Sequence, residues 1–96
     1  VIVRLNSVTC EIVEFIPENL IEGVIYISIK YETAIHKCCC GCGNKVVTPF
    51  GLPEGWKLVL DIEDSTHPIT LEPSIGNWNF PCKSHYCIKE NKVIWL

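Results

Sequence analysis

The sequence predicts a mainly β fold, a compact antiparallel sheet domain pinned together at a cysteine-rich loop. Apolar residues recur with the two-residue period of strands, most clearly at Ile25, Ile27 and Ile29 and at Trp56, Leu58, Leu60 and Ile62. No stretch carries a helical period over the length of an ordinary helix, which leaves a small α+β fold as the nearest alternative. Four of the seven cysteines fall between positions 38 and 42, where packing alone asks for no such cluster.

Residues 1–5 and 10–16 are rich in Val, Ile and Phe, and Asn6-Ser7 between them is a turn signal, so they read as a hairpin. Residues 17–23 hold one helical turn at most, closed by Gly23. Residues 24–30 form the best strand, expected to be central because Val24 and Tyr26 make its second face partly apolar. Residues 33–37 and 45–48 are extended runs that enter and leave the cysteine loop. After a Pro- and Gly-rich loop, residues 56–63 alternate as a half-buried strand, and residues 63–68 turn. Ile69 and Leu71 begin a short strand that Pro73 stops. Residues 73–81 show no period yet carry Trp78 and Phe80, as an irregular segment held against the body does. Residues 86–89 and 92–96 make a closing hairpin around Glu90-Asn91.

With 96 residues the chain is expected to be one domain, residues 1–96, near the size at which a metal or another staple adds much of the stability. A net charge of −3 without a basic run speaks against nucleic acid as partner, since phosphate neutralisation needs clustered Lys and Arg. No apolar stretch approaches the length of a membrane span, and no sequence at the start resembles a signal peptide. An odd cysteine count, with three cysteines in succession that pair with one another only under strain, points to a reducing cytoplasm rather than a disulfide scaffold.

Closely spaced thiolates on glycine-containing backbone converge on a soft cation, and zinc is the expected one. In extended backbone Cys38, Cys40 and Cys42 share one side and Cys39 takes the other, so the first three are the expected ligands and Cys82 the distant fourth. Cys10 and Cys87 read as small apolar filler, and His67, in a polar turn, as a surface residue. His36 and His85 stand near cysteines, where an imidazole can serve as a metal ligand, a catalytic base or a structural group. Ser74 and Ser84 are the nucleophile candidates. Ser74 precedes Gly76-Asn77, read as a turn whose N–H groups are free for an oxyanion, although a merely capped turn has the same local sequence. Ser84 adjoins His85, and neighbours in extended backbone point to opposite sides, so those two do not pair.

The order Tyr31, His36, Cys38-x-Cys40-Gly41-Cys42-Gly43, then Pro73-Ser74-Ile75-Gly76-Asn77-Trp78, then Pro81-Cys82-x-Ser84-His85-Tyr86 resembles a small bacterial family encoded beside ubiquitin-like (Bub-type) conjugation genes. The resemblance spans nearly the whole chain. It implies a zinc-stabilised serine peptidase that processes or removes ubiquitin-like proteins, with His36, Ser74, Ser84 and His85 as the polar residues of that activity and Cys38, Cys40, Cys42 and Cys82 as the metal set. Two positions depart from the family pattern: Cys39, where it requires no cysteine, and Cys87, where it has an aromatic residue, commonly tryptophan.

The expected function is a deubiquitinase-like peptidase acting at the C-terminal tail of a ubiquitin-like protein or its conjugates, with a serine nucleophile, a histidine base and a structural zinc. Asp61, Glu63, Asp64 and Glu72 are all available as an acidic third member, and a dyad needs none. The alternatives are a non-catalytic zinc module that docks ubiquitin-like proteins or conjugation enzymes, and a zinc hydrolase, which requires an open coordination position.

Overall fold

Ile25 and Ile27 are completely buried, and so, to within 2 % exposure, are Ile69, Leu71, Ile75, Tyr86 and Ile88. The two-residue period of the sequence thus drives two sheet faces into one core. The computed structural model describes residues 4–96 and holds, among them, eight strands and no helix. β1 (Thr9–Ile12), β2 (Val24–Ser28), β3 (Thr33–Lys37) and β4 (Lys45–Pro49) form one sheet in chain order. β5 (Lys57–Leu60), β6 (Ile69–Gly76), β7 (His85–Lys89) and β8 (Lys92–Trp95) form the other.

The mainly β expectation holds, and every neighbouring pair is antiparallel except one. That exception corrects the opening hairpin: β1 runs parallel to β2, with Cys10 opposite Ile25. Residues 1–3 of the expected first strand lie outside the described residues. Leu5 instead donates its N–H to the Cys39 carbonyl, and residues 6–8 bridge to β8 through Val93 N–H to Asn6 O and Val8 N–H to Asn91 O. The segment therefore ties the cysteine loop and both sheets together. Residues 17–23 form no helical turn; a tight turn at Gly23, with φ +86°, delivers β2 instead.

β2 is central, as expected, but it ends at Ser28 and leaves Ile29 exposed in the turn that follows. β5 likewise ends at Leu60, and Ile62 stands exposed. Pro73 does not stop its strand. β6 runs on to Gly76 through a bulge between Leu71 and Ile75, the one kind of interior position where a residue without an N–H is accommodated. The closing hairpin forms as expected, with Glu90 and Asn91 both at positive φ, the conformation a two-residue turn requires.

Candidate active site and metal centre

β3 and β4 are paired as far as Lys37 and Lys45, so the residues between them must reverse direction in a short loop. Cys38 N–H donates to Asn44 O, Gly41 N–H returns to Cys38 O, and Gly41 takes φ +89°, a conformation open to glycine at little cost. This turn, rather than strand alternation, brings the thiols to one point. The Sγ atoms of Cys38, Cys40, Cys42 and Cys82 all lie within 4.8 Å of one another, with Cys38 3.4 Å from Cys40 and 3.9 Å from Cys82. Tetrahedral zinc with bonds of about 2.3 Å separates its sulfurs by about 3.8 Å. The four cysteines fit a metal ion and are compatible with zinc.

The surrounding donors suit thiolates. Asn44 Nδ2 donates to Cys42 Sγ at 3.2 Å, and Asn77 Nδ2 lies 3.5 Å from Cys38 Sγ and 2.9 Å from Ser84 Oγ. Ser84 Oγ is in turn 3.0 Å from Cys38 Sγ, so its hydroxyl can accept from Asn77 and donate to sulfur. Burial alone would raise the Cys82 thiol, but its hydrogen bonds with the Ser84 side chain and backbone, and with Cys40 and Cys42, lower it to about 7. Cys39 points into the core instead, where burial outweighs a hydrogen bond with Tyr86 and pushes it up to about 12.

The expected polar residues separate into three places. Ser74 and His85 meet on the outer face of the second sheet, with Ser74 Oγ 2.8 Å from His85 Nε2. Gly76 is paired with His85 across β6 and β7, and the extra residues of the bulge set Ser74 against the imidazole. Ser84 is buried beside Cys38 on the opposite side of the chain from His85. His36 is buried between the sheets, its Nε2 2.8 Å from the Tyr86 hydroxyl and its Nδ1 without a hydrogen-bond partner. Burial lowers His36 to about 4, and Tyr86 also receives the Cys39 N–H, so this pair supports the cysteine loop.

Three further expectations are corrected. Gly76-Asn77 is not a free turn: Gly76 belongs to β6, and Asn77 donates its N–H to Ser84 O. His67 is half-buried rather than a surface residue; its carbonyl accepts the Cys10 thiol, and its Nδ1 is enclosed without a partner. Cys87 lies on the outer face rather than in the core and lines, with Pro73, Ser74 and Ile94, a largely apolar groove of about 230 Å³. No carboxylate hydrogen-bonds His85 among the described residues; Asp61 and Asp64 accept from N–H groups of their own turn instead.

Trp78 and Asn77 fall within the 73–78 motif, but their roles at the site, against His85 and between Cys38 and Ser84, are not legible in it. Trp78, 60 % exposed, stacks against His85 with ring centroids 5.0 Å apart and covers Gly76 so closely that a Cβ there would stand 2.5 Å from its Nε1. Its aromatic bulk in an aperiodic segment was the available signal. Asn77 is buried and links Cys38 to Ser84.

The family model described as bacterial ubiquitination-like system serine protease (BubE) matches residues 12–96. No curated protein and no solved structure matches the chain.

Proposed function

The chain belongs to the bacterial ubiquitination-like system serine protease (BubE) family, and we propose that it cleaves at the C-terminal tail of a ubiquitin-like protein through a Ser74–His85 dyad. The observation that carries this reading is the 2.8 Å approach of Ser74 Oγ to His85 Nε2 on an open face. With the imidazole proton on Nδ1, the Ser74 hydroxyl donates to Nε2. Ser74 Oγ then attacks the tail carbonyl while His85 takes its proton, and His85 returns that proton to the leaving group as the acyl-enzyme forms. A water, deprotonated by the same imidazole, releases the tail. Trp78, packed on His85, restricts the ring to the orientation that faces Ser74.

Cys38, Cys40, Cys42 and Cys82 hold a zinc ion in this reading, and four protein thiolates leave no open position for a water. The ion supplies a cross-link between the turn at 38–42 and the segment leading into β7. Through Cys38 that link orients Ser84 and Asn77, the residues flanking His85 and Gly76 in the sequence. Ser84 is thus a positioning residue.

Incubation with a ubiquitin-like protein carrying a C-terminal extension, followed by intact mass, tests the proposal. The wild-type protein should release the extension at one bond, and Ser74→Ala should not, with its metal content unchanged. Full cleavage by Ser74→Ala would remove the dyad from the mechanism.

A further inference from the structure

β6 has two halves with different surroundings. Its first half is flanked on both sides, by β5 as far as the Lys57–Glu72 pair and by β7. Beyond Glu72 the β5 side is vacant among the described residues, because Trp56, the residue before β5, gives its N–H to Pro49 O instead. The alternation of main-chain direction decides what that vacancy exposes. Leu96 N–H donates to His85 O, so His85 turns its peptide groups toward β8 and Tyr86, the next residue, turns its own toward β6. Ile75, opposite Tyr86, therefore bonds to β7, as Asn77 does through Ser84 O. Gly76, between them, points its N–H and C=O away from β7.

Those two groups face a groove of about 170 Å³ between Gly76 and Asn77 on one wall and residues 45–47 of β4 on the other. Among the described residues β4 pairs only with β3 in its sheet and meets Trp56 only at its far end, at Pro49, so along residues 45–47 the groove runs between two open strand edges. An unpaired edge next to a nucleophile is a template for another strand. Ser74 lies two residues from Gly76 on the same strand, about 7 Å along it at the usual rise.

We infer that Gly76 is the strand-pairing site for substrate: an extended peptide, the segment on the N-terminal side of the bond that Ser74 attacks, adds to β6 in the place β5 leaves vacant. Both neighbours of β6 are antiparallel to it, and the peptide takes the same direction. With the residue whose carbonyl is attacked opposite Ser74, the third residue before the cleaved bond stands opposite Gly76. That residue exchanges two hydrogen bonds with Gly76, N–H to O in each direction. The second residue before the bond turns its peptide groups outward and makes neither. Sequence preference in this stretch is accordingly weak, and the requirement is an extended main chain with free N–H groups.

The inference rests on the peptidase reading for the identity of the peptide, and its test is binding rather than turnover. A side-chain change at Gly76 is uninformative because a Cβ collides with Trp78, so the main chain of the ligand is altered instead. Amide exchange is measured in Ser74→Ala with a synthetic peptide of a Bub-system ubiquitin-like protein's C-terminal tail and its extension. The Gly76 amide should exchange at least tenfold more slowly when the peptide is bound. An ester in place of the amide at the third residue before the bond should weaken binding about tenfold, and the same change at the second residue should not. Equal effects at both positions, protection elsewhere without Gly76, or no binding would overturn the inference. Cleavage by the wild-type protein without Gly76 protection sinks this site alone; protection without cleavage sinks the peptidase reading alone.

Discussion

Removing the metal should unfold the protein or bring it close to unfolding, and the size of the effect follows from where the cysteines stand. Joining Cys42 to Cys82 closes a loop of about forty residues. Closing a loop of that length removes chain entropy from the unfolded state worth about 4 kcal/mol. A domain of this kind holds only about 5–15 kcal/mol in all, so the cross-link is a large share. At about 4–8 °C per kcal/mol for a chain of this size, chelation should lower the melting temperature by roughly 15–30 °C. The assay is elemental analysis, with about one zinc per chain expected, then thermal circular dichroism with and without a strong chelator, metal loss being verified in the chelated sample. A metal-free sample that melts within a few degrees of the untreated one would refute the assignment of the four cysteines as a structural metal site.

Cys39→Ser should retain the metal, whereas Cys40→Ser and Cys82→Ser should lose it, read by metal content after gel filtration; equal loss in all three would place Cys39 in the ligand set. A fluorophosphonate probe should label the wild type and Ser84→Ala but not Ser74→Ala, by intact mass, because only Ser74 has the imidazole to accept its proton. Tyr86→Phe should destabilise the fold by about 1–3 kcal/mol in urea melts, since it leaves the buried His36 Nε2 without its partner. A change below about 0.5 kcal/mol would mean that the His36–Tyr86 contact is replaced by water.

The class of fold and the thiol cluster of the candidate metal site were both legible in the chain alone. A two-residue apolar period can bury only one way, so the faces carrying Ile25 and Ile27 and carrying Ile69 and Leu71 were legible before any strand was placed. Cys38, Cys40 and Cys42 lie so close in the chain that a single turn must gather them, and Gly41 permits that turn. What lies between distant residues was decided only in three dimensions. The parallel partner of β1 depends on pairing across the segment at 13–23, to which local apolar content is indifferent. The bulge at Pro73 is the clearest case. A proline in a strand reads locally as a stop, because it lacks an N–H, but the second half of β6 continues because Ile75 is drawn into the core and Tyr86 opposite it supplies the pairing. That continuation turns Ser74 toward His85 and leaves Gly76 with an open edge, and neither follows from neighbours in sequence, since both are set by where β5 and β7 begin.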